Sequence, residues 1–310
     1  MLMVGYGVDI GGTFCKIGLF ESNGNLLETW KIPSRRENLG AEIIPDIAVA
    51  ICENMQKNNY SKDDVTGIAV GVPGPVTKNG VVGRVTNIGW ENKDVATELL
   101  DKTGLTVKVA NDANVAALGE LRFGCGKGKE SLVLLTLGTG VGGGVVLNGE
   151  ILYGAHGGAG EIGHCKVNPT ETAVCGCGKR GCLEQYASAT GMVRVAKLLL
   201  KEKKVDSSLR NKEFTAKDII DAAREGDVIG KQVLEQAGFY LGLALADVGA
   251  TLDPELLVIG GGVSAAGEIL REAAEQGYRT QTFHACAQTP IKLASLGNLA
   301  GIYGCMAMLF

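Results

Sequence analysis

Apolar residues run from Met3 to Ile10, give way at Gly11-Gly12-Thr13 and resume from Phe14 to Phe20. Two short apolar runs separated by a glycine turn read as strand, turn, strand. Ser22-Asn23-Gly24 turns the chain into a third strand, Leu26 to Ile32. From Ile43 to Met55 the apolar positions take helical spacing, and Val65 to Val72 is again a continuous strand, ended by Pro73-Gly74-Pro75. A helix from about Asn92 to Lys102 should stop at Gly104, since glycine accepts the left-handed cap at least cost. Leu105 to Ala110 reads as strand, Asn111-Asp112 as a junction, and Ala113 to Phe123 as the helix beyond it.

The pattern then begins again. Leu132 to Leu137 is a strand, Gly138 to Gly144 a glycine turn, and Val145 to Tyr153 further strand with a hairpin signal at Asn148-Gly149. A loop-rich insert follows, then helices near Gln185–Lys204, Thr215–Glu225 and Val228–Ala250. Leu256 to Ile259 is a strand that meets Gly260-Gly261-Gly262, with Ile269 and Leu270 in the helix after it. Two similar openings predict an internally duplicated α/β fold with a cleft between two lobes. The expected division is a small lobe, residues 1–112 completed by a C-terminal helix over 298–310, and a large lobe, 113–297, with an insert near 161–184.

A length of 310 residues agrees with two lobes, because single cores rarely exceed about 200 residues. With 45% hydrophobic and 21% charged residues, the composition excludes a disordered or fibrous chain. The net charge of −4 supplies no broad positive field for nucleic acid or anionic lipid, so neither is an expected partner. Residues 1–7 lack a basic segment ahead of an apolar one, and no apolar run approaches the ~20 residues of a membrane span; the expectation is a cytoplasmic protein. Of nine cysteines, Cys15, Cys52, Cys125, Cys286 and Cys305 are scattered and read as small buried apolar residues. Cys165, Cys175, Cys177 and Cys182 crowd together, which in a reducing compartment reads as metal binding before disulfides.

Gly138-Thr139-Gly140-Val141-Gly142-Gly143-Gly144 satisfies G-x-G-x-x-G, yet a dinucleotide fingerprint must open a helix and this run leads into strand. Glycines at a hairpin bend permit positive φ and let backbone N–H groups approach an anion, so the run reads as a phosphate nest or as a sheet corner that needs small residues. Asp9-Ile10-Gly11-Gly12-Thr13 with Lys16 makes a second bend: Thr13 and Lys16 can donate to phosphate, and Asp9 reads as an Mg²⁺ ligand, because a carboxylate beside phosphates needs a cation between them. Asp112 stands at a strand-to-helix junction, where it can serve as a general base or merely share helix capping with Asn111.

Together these stretches resemble the ROK family of sugar kinases, bacterial glucokinases in particular, whose fold is the duplicated actin-like, ribonuclease H-like one of hexokinases. The matching segments also include Gly71-Val72-Pro73-Gly74-Pro75-Val76, Asn111-Asp112-Ala113-Asn114, Gly160-Glu161-Ile162-Gly163-His164, Cys175 to Glu184, and Gly260-Gly261-Gly262-Val263-Ser264, in family order over nearly the whole chain. Phe14-Cys15 within the first bend and Leu299, where an acidic residue is commoner, depart from the pattern.

The resemblance implies ATP-dependent phosphorylation of a hexose, glucose first, with N-acetylmannosamine or another hexose as the alternative. It makes Asp112 the catalytic base. It assigns Asn111, Asp112, Glu161, His164 and Glu184 to the sugar, with the backbone at Gly74 and Asn87 as additions, though a turn role beside Gly89 stands equally for Asn87. ATP with Mg²⁺ would be held by Asp9, Gly11, Gly12, Thr13, Lys16, Gly138, Thr139, Gly140, Val141, Gly142, Gly143 and Gly144. Gly261 and Gly262 would lie against the adenosine, or else serve tight strand-helix packing. His164, Cys175, Cys177 and Cys182, spaced H-x₁₀-C-x-C-x₄-C, suit a closed tetrahedral, structural Zn²⁺, and Cys165 falls outside the set. A homodimer is the default assembly. A sugar-sensing regulator of the same family would need a DNA-binding segment, and only eight residues precede Asp9. A dinucleotide-dependent oxidoreductase is disfavoured by the strand after Gly144.

Overall fold

The computed structural model describes residues 3–85 and 88–310; Asn87, one of the expected sugar contacts, lies outside the described residues. The chain forms two compact units, the first comprising residues up to 130, 144–160 and 296–310, the second 131–143 and 161–295. This division falls elsewhere than the expected boundary at residue 112, because the helix beginning there packs on the C-terminal helix of the same unit.

In the first unit, β1 (Val4–Ile10), β2 (Phe14–Glu21), β3 (Leu26–Pro33), β4 (Val65–Val72) and β5 (Val107–Asn111) form one sheet in the order β3-β2-β1-β4-β5. β1 is antiparallel to β2, with Asp9 opposite Lys16, and parallel to β4. Central β1 and β4 are buried almost throughout, hence their unbroken apolar runs, whereas edge strand β3 alternates half-buried and exposed positions. On one face, Tyr6, Val8 and Ile10 pack with Ile43, Ile47 and Ile51 of helix α1 (Ile43–Lys57) and Leu99 of α2 (Val95–Thr103). Each fully buried side chain of this size contributes about 1.5–3 kcal/mol. Asp94 caps α2, and Gly104 ends it at φ 71°.

The opposite face is built for close approach. Ala69 and Ala110 meet Val115 of α3 (Asp112–Arg122) and Cys305 of α8 (Ala300–Leu309), helix labels α4 to α7 belonging to the second unit. A β-carbon on Gly119 would overlap the Ala300 carbonyl, and one on Gly304 the Val115 carbonyl, so the two helices touch backbone to backbone. The fully buried Glu120 accepts from the N–H groups of Cys125 at 3.0 Å and Leu296 at 2.7 Å, fixing the approaches to both helices.

The second sheet repeats the order of the first. Its strands are β6 (Leu132–Leu137), β7 (Val141–Leu147), β8 (Glu150–Ile151), β9 (Leu257–Gly260) and β10 (Ile291–Leu293), in the order β8-β7-β6-β9-β10. Third, second, first, fourth, fifth in both sheets is the duplication expected from the sequence. Asn148 at φ 52° and Gly149 at φ 76° make the turn between β7 and β8, the two positive values that such a two-residue hairpin requires.

The longer helices of the second unit are α4 (Ala189–Glu202), α5 (Ala216–Arg224), α6 (Val228–Leu252) and α7 (Glu268–Gln281). The helix expected over 185–204 is instead a turn at 184–187 and then α4, because Ser188 is extended at ψ 163° and its hydroxyl accepts from Gly191 N–H. Thr215 and Asp218 exchange capping bonds at the start of α5. Gly238, Gly242 and Gly277 remove the β-carbons that would keep α6 from α7. Among the described residues, no helix is long and apolar enough to cross a membrane.

Candidate active site and metal cluster

In the first unit, Asn111 and Asp112 sit where β5 meets α3. Asn111 is extended (φ −64°, ψ 145°), and its Oδ1 accepts from Ala113 N–H at 2.9 Å and Asn114 N–H at 3.2 Å. Its Nδ2 donates to the Gly74 carbonyl at 3.0 Å and to Asp112 Oδ1 at 3.0 Å. Gly74 has φ 87°, a conformation costly for any side chain. Capping is therefore the work of Asn111. Asp112 Oδ1 also accepts from Ala113 N–H at 2.8 Å, and Oδ2 has no protein donor among the described residues. Burial first, and then the negative charge of Asp9, push the Asp112 carboxyl up to about 6, against the hydrogen bonds from Ala113 and Asn111.

Asp9 lies at the end of β1, its carboxylate 3.9 Å from Lys16 Nζ and pressed by Gly301, where a β-carbon would come within 2.8 Å. Burial raises its pKa and Lys16 opposes the rise. Lys16 also donates to the Asn298 carbonyl. In the bend itself Gly11 N–H donates to Phe14 O at 3.1 Å, Gly12 faces open space, and Thr13 is exposed. Ser34, not foreseen from the sequence, buttresses the bend: its hydroxyl donates to Gly11 O at 2.7 Å and its N–H to Thr13 O at 2.9 Å. A lone serine beyond a strand carries no sequence signal for this.

The second bend joins β6 to β7, so the glycine run does lead into strand, but β7 already begins at Val141. None of the glycines from 138 to 144 takes the positive φ that glycine would permit; what they provide is room. Gly138 faces open space. A β-carbon on Gly140 would overlap Glu184, whose Oε2 accepts from Val141 N–H at 3.0 Å. Gly142 and Gly143 lie within β7, and Gly144 abuts the Ala113 carbonyl on α3, a packing position. Gly261, at φ 81°, is wedged against the Leu137 backbone, while Gly262 faces open space. Leu137, Gly138 and Thr139 line one cavity of about 490 Å³ with Ala189, Ala216 and Ile220, and with Gly262, Val263 and Ala265. The apolar residues of α4 and α5 in this wall were not singled out from sequence, because they look like ordinary helix-face positions.

The cysteine insert gathers His164, Cys175, Cys177 and Cys182, with one potential ligand atom from each lying within 4.8 Å of all the others. Cys177 and Cys182 sulfurs are 3.6 Å apart, and Cys175 Sγ is 3.9 Å from His164 Nδ1. Metal–sulfur bonds of about 2.3 Å in a tetrahedron put sulfurs roughly 3.8 Å apart, so these separations suit one shared ion better than thiol hydrogen bonds. His164 Nε2 lies 3.9 Å from Glu161 Oε2. Gln185 Oε1 accepts from Gly181 N–H at 2.8 Å and Cys182 N–H at 3.1 Å, which holds the loop in shape. Glu171 holds it from another side, accepting from Tyr186 Oη at 2.6 Å and Arg194 Nη2 at 2.9 Å.

The ROK family model matches residues 5–310. A glucokinase of Halalkalibacterium halodurans is 42% identical over 305 residues, spanning 96% of this chain and 92% of that protein. A ROK-family glucokinase structure from Streptomyces griseus, in complex with glucose and AMPPNP, superposes with a TM-score of 0.77 at 32% identity, covering 99% of each chain. A ROK-family transcriptional regulator, a homolog of the E. coli MLC protein, superposes at 0.88 with 30% identity, covering 100% of this chain and 78% of the regulator. With the duplicated sheets, the Asn111-Asp112 junction and the His-Cys₃ cluster in place, the match over almost every residue leads to one conclusion: the chain belongs to the ROK family.

Proposed function

We propose that the protein transfers the γ-phosphoryl group of ATP to a hydroxyl of glucose, giving glucose 6-phosphate. The observation that carries this reading is Asp112: a carboxylate at a helix start, oriented by Asn111 and Ala113 N–H, with a pKa pushed up to about 6. General bases work best with a pKa near the operating pH. Asp112 aligns the attacking hydroxyl and takes its proton late in the transfer. The likeness to glucokinases along nearly the whole chain supports the choice of sugar and donor. A coupled assay of purified protein with ATP and glucose tests it; absence of glucose 6-phosphate formation would falsify the reading.

The other roles follow from this reading. Gly12 and Gly138, bare backbone facing open space, are suited to approach by phosphate. Asp9 would hold Mg²⁺, which screens the triphosphate's charge when bound, while Thr13 and Lys16 supply donors. Asn111, Glu161 and Glu184 offer the donors and acceptors that sugar hydroxyls need. His164, Cys175, Cys177 and Cys182 fit Zn²⁺, with His164 Nδ1 toward the ion and Nε2 toward Glu161; the ion keeps the insert folded and takes no part in the chemistry. Nine cysteines without a disulfide among the described residues favour a reducing compartment, the cytoplasm, and we expect a homodimer. A regulator without kinase activity is the second reading, drawn from the likeness to the MLC homolog. It makes Asp112 dispensable for function, and the same assay separates the two.

A further inference from the structure

Ser34, the residue after β3, is buried behind the bend that joins β1 to β2. Its hydroxyl donates to Gly11 O at 2.7 Å and its N–H to Thr13 O at 2.9 Å, so one residue grips the carbonyls on both flanks of Gly12. A hydroxyl has a single hydrogen, and that of Ser34 lies on Gly11 O. The thiol of Cys15, fully buried and 3.3 Å from Ser34 Oγ, is therefore the donor in their contact. Burial pushes that thiol up to about 11, which keeps the hydrogen on sulfur at neutral pH. The result is a chain from Cys15 S–H through Ser34 O–H to the Gly11 carbonyl, in which each bond polarises the next.

What this grip controls is a direction. In a trans peptide the carbonyl oxygen and the next residue's N–H point to opposite sides, and the bond from Gly11 to Gly12 is trans. Drawing Gly11 O toward Ser34 thus turns the Gly12 N–H away from it, and that N–H has no protein acceptor among the described residues. No atom lies within 4 Å of where a Gly12 β-carbon would stand, so the bend is open to a ligand there. The bend follows directly on Asp9, whose charge reaches the Asp112 carboxyl, so the phosphate it meets is the terminal one, beside the base. Resting on the kinase reading above, we infer that Ser34 is a positioning residue for the donor's γ-phosphate: it aims the Gly12 N–H at that phosphate, and the Cys15 thiol fixes the Ser34 hydroxyl for the task. Ser34 acts through Gly12 and is not a catalytic residue.

The test measures Kd for ATP, AMP and glucose by calorimetry, with steady-state kinetics on the same proteins. Ser34→Ala keeps the backbone bond to Thr13 O and loses the hydroxyl. A hydrogen bond to a charged group is worth about tenfold or more in affinity, so Kd and KM for ATP should rise by about tenfold. Neither AMP nor glucose carries a γ-phosphate, so their Kd values should change less than about twofold, and Ser34→Thr, which keeps a hydroxyl, should recover most of the loss. Unaltered ATP affinity in Ser34→Ala overturns the inference. Equal weakening of ATP, AMP and glucose also overturns it, being what a purely structural role would give. Should Ser34→Ala fail to fold, Cys15→Val removes the thiol donor in its place: its ATP Kd should rise with that for AMP unaltered, and an unchanged ratio of the two overturns the inference. If the wild type makes no sugar phosphate, the kinase reading fails by itself, and the ATP to AMP ratios of wild type and Ser34→Ala still decide the role of Ser34.

Discussion

Asn111 caps the helix that Asp112 begins, and by doing so it holds the Asp112 carboxylate: one Asn111 amide bonds Ala113 N–H and Asn114 N–H through its oxygen and Asp112 Oδ1 through its nitrogen. Capping, one of the two readings open for Asp112 when only the sequence is read, is thereby the work of its neighbour. Replacing Asp112 should then leave the cap in place.

Asp112→Asn should lower turnover by at least about 10²-fold while the glucose dissociation constant changes far less, because asparagine keeps an acceptor but cannot take the proton. Steady-state kinetics with calorimetry on one variant checks this, and retention of more than about a tenth of wild-type turnover takes the role away from Asp112.

The same substitution should stabilise the protein at neutral pH. Asp112 is raised from 3.8 to about 6 in the folded chain, so below pH 3.8 it is protonated in folded and unfolded states alike and costs nothing. Between those values the unfolded chain releases a proton that the folded chain keeps, and wild-type stability falls as pH rises; above about 6 the cost is constant. Asp112→Asn should therefore gain on the order of 1–3 kcal/mol over wild type at pH 8, shrinking toward zero near pH 4. Chemical denaturation of both proteins across this range measures the difference.

Activity should follow the opposite sign. A base must be ionised, so wild-type kcat/KM should fall about tenfold per pH unit below an apparent pKa near 6. A profile flat down to pH 5 places the essential ionisation elsewhere.

Two glycines of one motif should behave differently. Gly144→Ala drives a methyl into the Ala113 carbonyl, and such overpacking typically costs about 1–3 kcal/mol, seen as a lower Tm. Gly138→Ala puts the methyl into open space at ordinary φ, so stability should stay within about 0.5 kcal/mol while the KM for ATP rises. Equal loss of stability in both would remove the phosphate role from Gly138.

Purified protein should carry about one zinc per chain by metal analysis, and Cys177→Ala should lose the zinc together with most of its activity, since three ligands no longer close the site. Full activity in a zinc-free preparation would separate the cluster from the sugar site.

Strands β1, β2, β4 and β6, the Asn148-Gly149 hairpin and the stop of α2 at Gly104 were legible in the sequence. So was the grouping of His164, Cys175, Cys177 and Cys182, because hydrophobic period, turn chemistry and the spacing of candidate ligands are properties of nearby residues. Even the helix break at Ser188 is local, an ST cap hidden inside a periodic apolar run. Tertiary structure decided what depends on distant partners. The role of each glycine is one example, since Gly144 and Gly138 differ only in whether Ala113 or open space lies opposite. Another is the cavity of about 490 Å³, whose walls come from α4, α5 and two glycine turns far apart in sequence. The ionisation of Asp112 is the third: its carboxyl is raised by burial and by Asp9, a residue on β1 far away in sequence, and no sequence pattern encodes a charge brought near through the packing of a sheet.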